Sequence, residues 1–455
     1  MTAAPSESSH RDGGGAAESN GETDGRWRRD FRLLLGGSLL SQLGTLSAAA
    51  ANPLLALALT GSPIVAGWVA AASTLPGLLL HLPVGLIVDR FNRWRIMLVS
   101  QLIRVLNSIV LIVGLCIAAE PWPLLILAAV IDGSCAVFFR IAELATVRFV
   151  VPDGEAENAM GKSEARHHLA LVLGRPVGGA LFALGRFCPY VLDAFTSLIS
   201  VFSLLFLNKD LRSLGSRRQK RLNISKRKMF NAFKEGFRWI CRDRFLSVSL
   251  GACAIANTGF QIIILLLVVE AQRQQFSGSV IGTMLATSGV AGFLGAITAP
   301  GVVRRFTPEV TVRCCVVSWI PCLAIVALVG NPLIGMCAWG VCSLFGAYIN
   351  VALAMYQGRV IPRGVLGRVE GVSQFLTTGA VTLGAFAGGY VIAILGTRPT
   401  AVLVTVAFVA LGTAVLALVR NPKRPPGQNP AKESMQVTDE RVLAGSAAGP
   451  TGGDA

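Results

Sequence analysis

Of the 455 residues in this chain, 53% are hydrophobic and only 15% charged, with a mean hydropathy of +0.61. A soluble globular chain carries about 25% charged residues, so this one lacks the polar surface that water demands. Its formal charge of +16 does not mark a nucleic-acid binder, because most of the excess cations sit in short connections between apolar runs. Ten cysteines lie almost all within apolar runs, none in a Cys-x-x-Cys spacing, which argues against a disulfide framework or a zinc site.

Residues 1–30 are polar and rich in Gly, Ser and Glu, and read as a disordered tail without the basic-then-apolar order of a signal peptide. Apolar stretches of about 20 residues then recur, each long enough to cross about 30 Å of hydrocarbon. Helical spans are expected at 35–59, 64–88, 96–118, 123–147, 167–187 and 189–208. Six more follow at 246–269, 279–302, 313–329, 333–355, 371–395 and 400–419. The organisation is therefore a first six-helix bundle over 31–208, a basic linker over 209–245, a second bundle over 246–420 and a disordered tail over 421–455.

Alternate connections carry the cations: Arg90, Arg93 and Arg95, then Arg148, Lys162 and Arg166, then Arg304, Arg305 and Arg313, then Arg359, Arg363 and Arg368. The opposite connections hold little beyond Arg186, Arg273 and Arg398. Positive charge marks the cytoplasmic side, so both termini are expected inside, in agreement with an even number of spans. The linker 209–244 has a denser run of cations, suited to anionic lipid headgroups. Within it, Phe230, Phe233, Phe237 and Ile240 recur at helical spacing, consistent with a helix along the membrane surface. A solvated connector between the bundles is the plainer reading.

The halves repeat one another. Gly384, Gly388 and Gly389 lie 210 positions after Gly174, Gly178 and Gly179, and Ser277 and Gly282 lie 215 after Ser62 and Gly67. Internal duplication of this kind is a feature of transporter folds, whose binding sites lie at the repeat interface near the midplane.

The sharpest motif is the turn Gly85-Leu86-Ile87-Val88-Asp89-Arg90-Phe91-Asn92-Arg93-Trp94-Arg95. Its glycine permits close approach of another helix, and its aspartate can pair with nearby cations. This turn resembles the cytoplasmic signature loop of the major facilitator superfamily, in which the acid and the basic residues stabilise the outward-facing state. The second-half counterpart, Gly301-Val302-Val303-Arg304-Arg305-Phe306, lacks the acid. In the fifth span, Gly174-Arg175-Pro176-Val177-Gly178-Gly179 resembles the glycine/proline motif of superfamily antiporters, with Arg175 interposed before the proline. Plain helix packing explains the same glycines equally well. Leu59-Thr60-Gly61-Ser62-Pro63, Leu75-Pro76, Leu82-Pro83-Val84-Gly85 and the stretch from Gln357 to Arg368 followed by Glu370-Gly371 are similar to the enterobactin-exporter-like and macrolide-efflux-like branch. Over residues 31–420 the resemblance implies an all-helical integral membrane protein of twelve spans in two pseudo-symmetric bundles, alternating access and proton-driven export.

Charged residues inside spans cost at least about 2.5 kcal/mol at the helix centre and mark function. Span 4 carries Asp132, Arg140 and Glu143, span 3 carries Arg104 and span 5 carries Arg175. Asp132 is the favoured proton-coupling group, tuned by Arg140 or Arg175; the alternative is a static network joining Asp132 to Arg104 and Glu143 to Arg93. Gln42 and Asn52 on span 1, with Asn257 and Gln261 on span 7, are candidates to face cargo or to hydrogen-bond between helices. His81, His167 and His168 are titratable, with packing the commoner role. Gly161-Lys162-Ser163 fails as a phosphate loop, because Ala156 stands where the first glycine belongs. The expected protein is a monomeric proton antiporter of a bacterial inner membrane, exporting a small secondary metabolite or drug. It needs neither cofactor nor metal, and its partners are cargo, protons and anionic lipid. The alternatives are a siderophore exporter of the same fold and a non-transporting membrane sensor or assembly partner.

Overall fold

A computed structural model describes residues 14–117, 121–151, 163, 166, 169, 170, 173, 174, 177–207 and 226–419. Hydrocarbon offers backbone groups no partner, so each crossing segment must satisfy its own N–H and C=O groups as a helix. The first half contains α1 (Gly14–Thr60), α2 (Pro63–Arg90), α3 (Arg93–Ile117) and α4 (Trp122–Val150), and ends with α6 (Cys188–Leu205). Between α4 and α6, every described residue from 163 to 184 is helical, and this segment is α5. A linker helix α7 (Lys226–Arg242) precedes α8 (Arg244–Arg273), α9 (Gly278–Arg305), α10 (Pro308–Leu328), α11 (Pro332–Val360), α12 (Arg363–Leu395) and α13 (Thr397–Leu418). Eleven helices among the described residues are long and apolar enough to cross a membrane.

Helix starts follow local chemistry. Asp243 accepts from the Leu246 amide at 2.8 Å to cap α8, Asn331 accepts from Leu333 at 2.9 Å to cap α11, and Pro63, Pro308 and Pro332 open their helices where no N–H is needed. Gly61 and Gly396 take positive φ (63° and 81°), which lets α1 turn directly into α2 and α12 into α13. Large apolar side chains such as Leu106, Phe195 and Ile394 remain outward-facing, as a lipid solvent allows.

Two segments depart from expectation. The helix α1 begins at Gly14, inside the stretch expected to be disordered. No proline intervenes between Pro5 and Pro53, so helical turns can propagate outward from the membrane-embedded nucleus. In the linker, α7 is neither a solvated connector nor a helix resting on lipid alone. Phe233 packs edge-on against Phe375 with ring centres 5.4 Å apart, Ile240 is buried, and Glu235 pairs with Arg368. The Tyr356 hydroxyl donates to Asp243 at 2.8 Å just beyond it. This helix is docked on the start of α12. Phe237 stays exposed, while the linker residues 208–225 and the tail from 420 lie outside the described residues.

The same pairings recur in each half: α2 with α4 and α9 with α11, α3 with α4 and α10 with α11, α3 with α6 and α10 with α13. The repeat glycines explain how the halves meet. At Gly67 an added Cβ would lie 2.8 Å from the Ala385 carbonyl and 3.1 Å from Gly389, so α2 and α12 touch backbone to backbone. At Gly282 it would strike the Gly179 backbone, so α5 and α9 touch in the same way. Under the repeat, Gly67 corresponds to Gly282 and Gly389 to Gly179. The two contacts are thus one contact made twice, around the pseudo-twofold axis. Gly174 and Gly178 seat on Leu46 and Ser47 of α1, while Gly384 seats on Thr258 of α8. The Ser47 hydroxyl donates to the Gly174 carbonyl at 3.0 Å and that of Thr258 to the Ala380 carbonyl at 3.1 Å.

These contacts lie toward the arginine-poor ends of the helices. Hydrogen bonds join the halves there: Gln272 Nε2 to the Leu54 carbonyl at 3.3 Å, Trp68 Nε1 to the Tyr390 hydroxyl at 3.2 Å, and Thr74 with Thr382 at 3.0 Å. At the arginine-rich end, a Cβ at Gly85 or Gly301 would meet nothing within 4 Å among the described residues, which corrects the expectation that the signature-loop glycine admits another helix.

Candidate functional site

From the Gly67–Gly389 contact toward the arginine-rich end, α1, α2, α4 and α12 line a cavity of about 350 Å³. Small aliphatic side chains, chiefly Ala48, Ala49, Ala129 and Ala136, alternate in its wall with polar groups from Thr45, Asn52, Ser73, Thr74, His81, Asp132, Arg140 and Thr378. A second cavity of about 190 Å³ shares Leu46, Ala49, Ser73 and Thr74 with the first and reaches Gln261 on α8. The second cavity, apolar but for Ser73, Thr74 and Gln261, has the usual form of a small-molecule site, and the first adds charged groups to it. Asn52 is held by its neighbours: it accepts from the Tyr190 hydroxyl at 2.8 Å and donates toward Ser73 at 3.5 Å.

Behind Asp132 lies a deeply buried ion pair. The Arg104 guanidinium on α3 is only 2% exposed and forms an ion pair with Asp193 of α6. Its remaining donors reach Ser41 Oγ at 2.8 Å and Gln101 Oε1 at 3.4 Å, and Ser108 donates to the other Asp193 oxygen at 3.0 Å. Asp132 Oδ1 stands 4.0 Å from Arg104 Nε. Two carboxylates therefore flank one guanidinium. Asp193 is fully enclosed, whereas Asp132 borders the cavity. Burying ions costs several kcal/mol each, which only close pairing and hydrogen bonding offset. The α3 sequence supplies this on one face: Gln101, Arg104 and Ser108 fall three to four residues apart and are buried, while Leu102, Leu106 and Ile109 face outward.

Asp193 was not among the sequence candidates. An acid within the sixth apolar run carries the same signal as Asp132 in the fourth, and weighing every intramembrane charge equally would have found it. Glu143 is also buried, but its partner is Arg166 of α5 at 2.9 Å and not Arg93. Arg93 instead donates to the Ala145 carbonyl at 3.2 Å, because its position at the start of α3 places it beside the end of α4. Asp132, Arg140, Asn52, Gln261 and His81 are thus gathered at the cavities, and Arg104 stands immediately behind. Gln42 and Asn257 are half-buried and line neither of these two cavities. Arg175, Pro176, His167 and His168, and the side chain of Asp89, lie outside the described residues. Of the signature loop, Arg90 and Arg95 are exposed. Among the described residues no three His, Cys, Asp or Glu side chains form a group able to hold a metal ion.

A family model described as transmembrane secretion effector matches residues 27–446. An uncharacterized MFS-type transporter of Bacillus subtilis (strain 168), YfiS, is 25% identical over 385 residues, covering 80% of this chain and 87% of the relative. Among solved structures, the nucleoside transporter NupG superimposes with a TM-score of 0.67 at 13% identity, over 86% of this chain and 99% of that one. A bacterial homologue of the iron transporter ferroportin, in an inward-facing state, gives 0.63 at 16% identity over 85% and 99%. At such identities the structures speak for the fold, and the family match for membership. The chain belongs to the transmembrane secretion effector family of the major facilitator superfamily, and is a multi-pass membrane transporter, not an enzyme.

Proposed function

We propose that the protein is a proton-coupled antiporter that exports a small secondary metabolite or drug across a bacterial inner membrane. The reading rests chiefly on Asp132, the acid that both borders the cavity and stands beside the buried Arg104–Asp193 pair. With Asp193 holding Arg104, a proton taken up by Asp132 leaves the pair neutral, and its loss leaves a negative charge at the cavity wall. Competition between proton and cargo for that wall couples the two movements. Arg140, about two turns further along α4 on the same cavity wall, supplies a cation that answers the ionised form. The arginine-rich end is taken as cytoplasmic, with both termini inside. The close glycine contacts at the opposite end then correspond to an inward-open state, ready to load cargo from the cytoplasm. The cation-dense sequence of 209–244 suits anionic headgroups, and the unit of transport is the monomer.

The test uses inside-out vesicles energised acid inside, with candidate metabolites and drugs offered outside. Uptake that collapses with a protonophore, and with Asp132→Asn at normal expression, is expected. Accumulation of a cargo that persists without a proton gradient would remove proton coupling from the reading.

A further inference from the structure

We propose that the groove between α3 and α4 on the outer face of the first half binds one anionic glycerophospholipid, with its phosphate at Arg90 and Arg95. The groove encloses about 730 Å³, and its walls are apolar along most of their length, including Val99 and Ile103 of α3 and Val130 and Phe138 of α4. It is separate from the transport cavity. On α4, Asp132, Gly133, Ala136 and Arg140 face the cavity, whereas Val130, Ser134 and Phe138 turn to the groove. Val99 and Ile103 are 52% and 42% exposed, so in a bilayer this wall is in contact with hydrocarbon.

The charge at the mouth chooses the occupant. Arg90 ends α2 and Arg95 lies in the first turn of α3, both exposed and both lining the groove. Neither guanidinium has a carboxylate partner among the described residues, in contrast to Arg104, Arg166 and Arg368. A pair of unanswered guanidinium groups suits a phosphodiester, which can accept a fork of N–H donors. The axial distance from Arg95 to Ile103 is about 12 Å at 1.5 Å per residue, most of the roughly 15 Å half-thickness of a hydrocarbon core. A headgroup at the arginines therefore places an acyl chain along the apolar wall at its natural depth. A soluble anion would use the mouth and leave that wall empty.

The measurement is native mass spectrometry of the full chain released from mild detergent, titrated with phosphatidylglycerol or phosphatidylcholine of identical acyl chains. Wild type is expected to retain one phosphatidylglycerol in preference to phosphatidylcholine. Arg90→Gln with Arg95→Gln should weaken phosphatidylglycerol retention about thirtyfold, taking each close cation at its usual worth, and leave phosphatidylcholine unchanged. Ile103→Trp, which fills the groove and spares both arginines, should displace phosphatidylglycerol as well, and it carries the test if the arginine variant does not fold. Lys234→Gln with Arg238→Gln on α7 should change nothing. Equal retention in wild type and Ile103→Trp would mean general annular lipid and overturn the proposal. Displacement of the lipid by inorganic phosphate, with Ile103→Trp behaving as wild type, would reduce the site to an anion contact and overturn it too.

Discussion

Replacing Gly67 with alanine should hold the arginine-poor end of the protein open. The added Cβ would stand 2.8 Å from the Ala385 carbonyl oxygen and 3.1 Å from the Gly389 Cα. Carbon contacts are comfortable at about 3.5–4.0 Å, so α2 must retreat from α12 by roughly half an ångström or more. Both opposing atoms are backbone and cannot rotate away. Overpacking of this kind costs about 1–3 kcal/mol, and the cost arises only in the conformation that brings α2 against α12. In a two-state equilibrium that difference shifts the population about 5- to 150-fold toward opening at this end. Gly346→Ala is the control: a Cβ there meets nothing within 4 Å, and its gain in helix propensity is common to both conformations. Hydrogen–deuterium exchange of the protein in nanodiscs reads the result. Peptides covering residues 63–74 and 382–392 should exchange faster in Gly67→Ala and unchanged in Gly346→Ala. Gly282→Ala, at the symmetry-related contact with Gly179, should loosen the same end. Exchange in Gly67→Ala indistinguishable from both wild type and the control would refute the assignment of this contact as a seal.

Other consequences concern the charges. Arg104→Met strands Asp193 and Asp132 without their shared cation, and should cost about 3–5 kcal/mol, visible as a lower unfolding midpoint in detergent; an unchanged midpoint would show that Arg104 does not hold the bundle. Glu143→Gln removes the partner of buried Arg166, and a loss of similar size is expected, largely relieved when Arg166→Met is added; a double variant no better than the single would mean the two residues act separately. By contrast Glu235→Gln breaks an exposed pair with Arg368, both side chains more than 40% exposed, and should change stability by no more than about 1 kcal/mol. A large loss there would indicate that α7 depends on that pair and not on Phe233 and Ile240 for its docking.

Much of this molecule is decided by local chemistry along the chain. Apolar runs of membrane-spanning length must be helices, because lipid leaves backbone groups no other partner. The recurrence of Gly174, Gly178 and Gly179 as Gly384, Gly388 and Gly389 reports the duplicated halves directly. The intramembrane charges Asp132 and Arg104 declare themselves by their cost. Tertiary structure alone decides the partners. Nothing in spacing says that Gly67 meets Gly389 while Gly282 meets Gly179, since each contact joins residues from opposite halves. The pairing of Arg104 with Asp193, and of Glu143 with Arg166, depends on how α3, α4, α5 and α6 stack, as a long side chain reaches whichever buried charge the packing brings within about 4 Å. Period and hydropathy set which face of a helix is wet, dry or charged, and the close fit of backbone against backbone sets which faces meet.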